Sequence, residues 1–184
     1  MLSHRLGPAL ASVGLGCGIL ISAPIARDVY SGFAGMGRRV SAAATAPAPR
    51  LPEGELVARL TVSRLALDAP VFEGVEAGTL AKGPGHVPGT ALPGDERAAL
   101  PSLIAIPRGR NGNAIARLRL GDRVRLTSPA GLRRYRVVER RVQEPAQVRL
   151  GAASSARVTL ITPFPPDFPG PAPMRLAVAL EGRD

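Results

Sequence analysis

From Glu55 onward, short apolar runs alternate with clusters of turn residues, and the spacing inside the runs is that of strands. Glu55–Leu65, ELVARLTVSRL, places apolar side chains near every second position, which puts them on one face of a pleated strand. Pro70–Glu73 reads as a second, short strand. Gly83–Gly94, GPGHVPGTALPG, is too rich in Gly and Pro for regular structure and reads as a shaped loop. Ser102–Ile106, SLIAI, is a buried strand ended by Pro107, and Ala114–Leu120 can form one or two helical turns. Asp122–Thr127 alternates, Gly131 marks a turn, and Leu132–Val142 resumes the alternation with Tyr135, Val137 and Val142 expected inward. Val158–Thr162 and Met174–Leu180 are continuous apolar strands of core type. About seven or eight short strands with one brief helix predict a mainly β fold, a closed or nearly closed barrel. Strands this short bury both faces only when the sheet curls on itself.

The N-terminal third has a different rhythm. Leu6–Ala26, LGPALASVGLGCGILISAPIA, carries no charged residue. At 1.5 Å rise it spans about 31 Å, close to a hydrocarbon core of about 30 Å. It is expected to be an uncleaved transmembrane anchor. A cleaved signal peptide competes, with a site after Ala23, but Pro24 follows and Ile21 is not small. A lipoprotein reading of Cys17 would want leucine where Gly14 stands, and the apolar run continues past the cysteine. His4 and Arg5 on one side oppose Arg27, Arg38 and Arg39 on the other, so charge counting leaves both orientations open. The expected organisation is a flank at 1–5, the anchor at 6–26, a juxtamembrane segment and Ala/Pro linker at 27–52, and the barrel at 53–184.

Composition narrows the chemistry. The 184 residues include only 3% aromatics and no tryptophan, so Val, Leu, Ile and Ala must fill the core. A net charge of +10 raises nucleic acid or anionic lipid as partners. Stacking aromatics and nucleic-acid-binding spacings are lacking, which weighs against nucleic acid. Arg133, Arg134, Arg140 and Arg141 read as a solvent face, with lipid headgroups as the sharper alternative. Cys17 is the only cysteine, so the domain after the linker holds no disulfide, cysteine metal site or thiol nucleophile.

Four segments in order resemble the sortases, cysteine transpeptidases of the bacterial envelope, and among them the Gram-negative subgroup called class GN. Val57–Gly74, VARLTVSRLALDAPVFEG, is similar to the opening strands of that family. Gly83–Asp95, GPGHVPGTALPGD, nearly matches its "GPGHL.GTALPGE". Ile104–Asp122 keeps the length of "IAGHRDTHFRFL..LRPGD", and Val158–Phe168, VTLITPFPPDF, stands against "LTLVTCYPFDA", followed by Met174 and Arg175 in place of "LR". The resemblance covers Glu55–Leu180. It implies a sortase barrel behind a single-pass anchor in the cytoplasmic membrane, with the domain on the periplasmic or extracytoplasmic side. It implies no cofactor, and no metal-ligand set is apparent.

Sortase chemistry, as the resemblance implies it, needs a thiolate nucleophile, a histidine for the leaving-group proton and an arginine for the oxyanion. On this mapping the cysteine position holds Pro163, the histidine position holds Pro107, and the arginine is retained as Arg175. Proline supplies neither a nucleophile nor a titratable group. Other departures lie nearby: Pro101 stands where the family has an asparagine, and Phe164, Pro165 and Pro166 replace Tyr-Pro-Phe. Arg175 is the candidate anion contact, against a plain ion-paired or solvated role. His86 is a candidate binding residue, against a loop-shaping hydrogen bonder. Ser154, Ser155 and Thr162 are the nearest hydroxyls, and only His86 and Lys82 could serve them as a base.

The leading expectation is therefore a catalytically inert, sortase-like envelope protein that binds a sorting-signal-like peptide or a partner protein. An active transpeptidase or hydrolase with an unorthodox residue set, a basic module for anionic lipid or nucleic acid, and a decaying gene are the alternatives.

Overall fold

The computed structural model describes residues 51–95, 98, 101–145 and 156–183. The expected anchor at 6–26, nearly all of the linker, and Ser154 and Ser155 lie outside the described residues. Among those described, no helix is long and apolar enough to cross a membrane.

The strands are β1 (Leu56–Val62), β2 (Leu67–Glu73), β3 (Gly85–His86), β4 (Ser102–Ala105), β5 (Arg123–Ser128), β6 (Gly131–Gln143), β7 (Ala156–Phe164) and β8 (Met174–Arg183). They close a barrel in the order β1-β2-β3-β4-β7-β8-β6-β5, with β5 returning to β1. The β2–β3 and β4–β7 pairs are parallel, and the other neighbours are antiparallel.

Alternation in the sequence becomes alternation in burial. In β1 Leu60 and Val62 face the interior, joined by Val71, Val124, Leu126, Tyr135, Val137, Leu160, Val178 and Leu180 from the other strands. The unbroken apolar runs have a different cause. Leu103, Ala105, Ile161 and Ala177 lie in a second, smaller core with Val75, Leu80 and Val87, so β4, β7 and β8 are covered on both sides.

Several elements depart from the sequence expectation. Among the described residues two α-helices form where the barrel was expected to hold one, and Ser63–Leu65 ends the first strand as a 3-10 turn, with Ala66 at φ 49° reversing the chain. Helix α1, Ala77–Lys82, buries only Thr79 and Leu80, too little for a periodic signal. Helix α2 is Arg110–Ala116, beginning earlier than the expected Ala114 because Gly109, at φ 88°, turns the chain into it. β2 starts at Leu67 and passes through Pro70. It tolerates that proline because β3 pairs only with Phe72 and Glu73, leaving Pro70 on an open edge. The Gly/Pro loop contains β3, held so close that a Cβ on Gly85 would stand 2.2 Å from the Gly74 carbonyl oxygen. Val142, expected inward, is 46% exposed although it stands opposite the buried Leu176, because it lies at the very end of β6.

Candidate functional site

Three strand ends meet where the sequence places its candidate residues. β4 runs into Ile106, whose N–H donates to the Ile161 carbonyl at 2.7 Å, and Pro107 follows at once. On β7 Thr162 and Pro163 lie opposite Leu176 and Arg175 of β8. Helix α2 closes the space between them. A Cβ on Gly112 would stand 2.9 Å from the Pro107 carbonyl oxygen and 3.0 Å from Thr162 Oγ1. Pro107, Pro163 and Arg175 are thus gathered at one end of the barrel, and all three are buried.

Arg175 is 6% exposed. Its Nη1 donates to the carbonyls of Ala172, at 3.0 Å, and Met174, at 2.9 Å. Burial lowers its pKa from the ordinary arginine value, yet an arginine stays cationic in a protein. Thr162, the one candidate hydroxyl among the described residues, has no accessible surface, and its Oγ1 makes no hydrogen bond to a described residue. It has no base beside it in the manner of an activated nucleophile.

The loop between β7 and β8 is fastened over this end by a residue that the sequence reading did not single out. The Arg108 guanidinium donates to the carbonyls of Pro166, at 3.2 Å, Gly170, at 2.5 Å, and Phe168. Asn113 Nδ2 adds a bond to Asp167 Oδ1 at 3.3 Å. A planar cation with several donors suits three converging carbonyls. The available signal was slight: an arginine between Pro107 and Gly109, where the chain must turn.

His86 makes its contacts within the framework. Its Nδ1 is 2.6 Å from Glu73 Oε2, and its Nε2 is 2.8 Å from the Ala91 carbonyl and 2.9 Å from Thr90 Oγ1. The Ala91 carbonyl can only accept, so Nε2 carries a proton. Thr90 donates to the Val87 carbonyl and accepts from the Leu103 N–H. The imidazole thus ties β2, β3 and the following loop together while only 1% exposed. Its buried partner, Glu73, carries no sequence signal, since it ends an ordinary strand.

The four arginines read as a solvent face are exposed. Arg140 donates to the Ala116 carbonyl and Arg141 to Glu139, while Arg134 lines a cavity on the barrel wall.

Comparison with known proteins places this geometry. The sortase domain model matches residues 60–181. Among solved structures, sortase C1 of Streptococcus agalactiae is 20% identical, covering 90% of this chain and 92% of its own, with a TM-score of 0.63. Clostridium perfringens sortase C, solved with the C-terminal cell wall sorting motif, is also 20% identical over 90% and 92%, with a TM-score of 0.64. Sortase C-1 of Actinomyces oris is 19% identical over 82% and 99%, at 0.60. At such identities these structures speak for the fold. No curated protein sequence matches. The domain match covers most of the chain and the eight-stranded closed barrel agrees with it: the chain belongs to the sortase family.

Proposed function

We propose that this chain is a membrane-anchored envelope protein of sortase fold that has no transpeptidase activity and binds a sorting-signal-like peptide or a partner protein. One observation supports the reading: Pro107 and Pro163, the positions that the motif resemblance matches to the family's histidine and cysteine, are both buried at the barrel end that holds Arg175. A thioacyl intermediate needs sulfur at the second position and a proton carrier at the first. Without them most of an acceleration of about 10⁶-fold or more is forfeited. Arg175 gives Nη1 to the Ala172 and Met174 carbonyls, and its remaining N–H groups have no oxyanion to meet where no nucleophile attacks a carbonyl.

Binding is supported by what stays exposed at the same end. The β7–β8 loop presents Phe168, 38% exposed, among prolines, on a backbone that Arg108 holds in place. A preformed rim of this kind costs little to order when a peptide lies against it. The Clostridium relative was solved with a sorting motif, which makes an LPXTG-type peptide the first ligand to try.

The test uses the full-length chain in detergent with a quenched fluorescent sorting peptide, followed by calorimetric titration with the uncut peptide and with partner-derived tails. Saturable binding without turnover is expected. Turnover that Arg175→Ala abolishes would overturn the claim of inactivity. Absence of saturable binding to any of these peptides would remove the binding half.

A further inference from the structure

The outer wall of the barrel carries a row of arginines that the fold itself assembles. Arg125 on β5 pairs across the strands with Arg134 on β6, and Arg134 pairs on its other side with Arg183 on β8. All three are exposed, and directly opposed side chains sit only about 5 Å apart at Cβ. Like charges in that position destabilise a sheet. Arg123, two residues before Arg125 on the same face of β5, adds a fourth.

These side chains surround a concave space. A cavity of about 580 Å³ is lined by Arg64, Arg123, Arg125, Arg134 and Arg183, with Asp122 as the lining carboxylate. Its size falls within the range of sites for small ligands, about 300–1,000 Å³. Asp122 is already taken: Arg64 grips it through Nε at 2.9 Å and through Nη2, and the Arg119 N–H donates to it at 2.7 Å. Arg125 is oriented by a bond from Nη2 to Ser63 Oγ at 2.6 Å. Arg123, Arg134 and Arg183 form no ion pair with any described residue. Four guanidiniums beyond the Arg64–Asp122 pair therefore face one cavity without a neutralising carboxylate.

We infer that this cavity is a binding site for a compact anion carrying two or more phosphate groups. Guanidinium forks bind phosphate oxygens in pairs, and several forks around one concavity select against a single monovalent anion. Two or three linked phosphates would offset the repulsion along the Arg125–Arg134–Arg183 row; Glu181, on the same face of β8, stands opposite Arg136 and does not line the cavity. The site shares no residue with the Pro107–Pro163–Arg175 end, so it stands or falls independently of the peptide-binding reading.

The test is isothermal titration of the full-length chain in phosphatidylcholine nanodiscs with inorganic triphosphate, pyrophosphate, phosphate and sulfate at fixed ionic strength. One triphosphate per chain is expected, bound more tightly than pyrophosphate and far more tightly than phosphate or sulfate. Arg134→Gln and Arg183→Gln should each weaken triphosphate by about tenfold or more. Arg110→Gln, an exposed arginine on α2, removes the same charge and should leave the affinity within about twofold. Repeating the titration in phosphatidylglycerol discs separates the sources of phosphate. Weaker apparent binding there, dependent on Arg134, would show that singly charged lipid headgroups fill the cavity and would overturn the polyphosphate ligand. An unchanged affinity assigns it to a soluble anion. Equal affinity for sulfate and triphosphate, equal losses in Arg110→Gln and Arg134→Gln, or no saturable triphosphate binding would each overturn the site.

Discussion

Gly112 offers a sharp probe of the closed end of the barrel, because two ordinary rules oppose each other there. It lies inside α2, where replacing glycine with alanine normally stabilises a helix by about 0.5–1 kcal/mol. The new Cβ would stand 2.9 Å from the Pro107 carbonyl oxygen and 3.0 Å from Thr162 Oγ1. The first neighbour is backbone and the second is a buried side chain, so neither moves cheaply. Overpacking of this kind costs about 1–3 kcal/mol. The net expectation for Gly112→Ala is a loss of about 1–2 kcal/mol, or a fall in Tm of about 4–8 °C for a domain of this size. Thr162→Ala removes one of the two obstacles, so the double variant should be less destabilised than the sum of the singles, by about 0.5 kcal/mol or more. Urea denaturation of the four proteins measures the cycle. An alanine at 112 that stabilises the chain, or exact additivity with Thr162→Ala, would show that α2 does not seal the seam between Pro107 and β7.

Gly85→Ala should be the more damaging glycine change, since its Cβ meets a backbone oxygen at 2.2 Å, and loss of the cooperative unfolding transition at 37 °C is the expected readout. The Asp122 carboxyl is held below the usual carboxylate range, chiefly by its hydrogen bond from Arg64, with burial opposing and the Arg119 N–H assisting. A depressed carboxylate pKa contributes stability that is present above the unfolded value, about 4, and is lost as pH falls through the folded value. Urea midpoints measured from pH 7 down to pH 2 should therefore fall less steeply in Asp122→Asn than in the parent. Arg108→Ala should free the β7–β8 loop, seen as faster amide exchange at Asp167, Phe168 and Gly170 with little change in the midpoint of global unfolding. The Pro107→His/Pro163→Cys variant should fold but cleave no sorting peptide, because Arg175 would still be bonded to the Ala172 and Met174 carbonyls; rapid turnover would refute that.

The barrel was legible wherever burial follows a period. β1, β5, β7 and β8 stand close to where alternation or apolar runs place them, because a strand with one wet face or two dry faces leaves a plain trace. The short elements were not legible. α1 buries two side chains, and β3 is two residues long, held by close backbone approach at Gly85 rather than by side-chain pattern. Val142 shares a face with the buried Leu176 yet lies at the end of β6, and local periodicity does not reveal where the cover over a strand runs out. At the site, the positions of Pro107, Pro163 and Arg175 came from family-like motifs. The Arg108 clamp and the Glu73–His86 pair could not come from them, since each joins segments whose meeting only the closed barrel decides. The arginine row is the same kind of fact. Arg125, Arg134 and Arg183 are unremarkable along the chain and become neighbours only through register.

Register also explains how the barrel accommodates a proline at each of the two positions, Pro107 and Pro163. A proline inside a sheet removes a ladder hydrogen bond and is tolerated at edges and ends. Ile106 makes the last bond from the β4 segment to β7, so Pro107 has no ladder bond to give up on that side. The β4–β7 register stops at the Ala105–Ile161 pair, so Pro163 has only β8 as a strand neighbour. Residues that do chemistry at the end of a barrel must reach beyond its hydrogen-bond network, and that same freedom makes their positions cheap to replace. The core that closes the barrel, around Leu60, Val71, Leu126, Leu160 and Val178, lies elsewhere and is fully buried. Selection on catalysis and selection on folding therefore act here on different atoms. Under the proposed reading, a chain released from the first keeps the second whole.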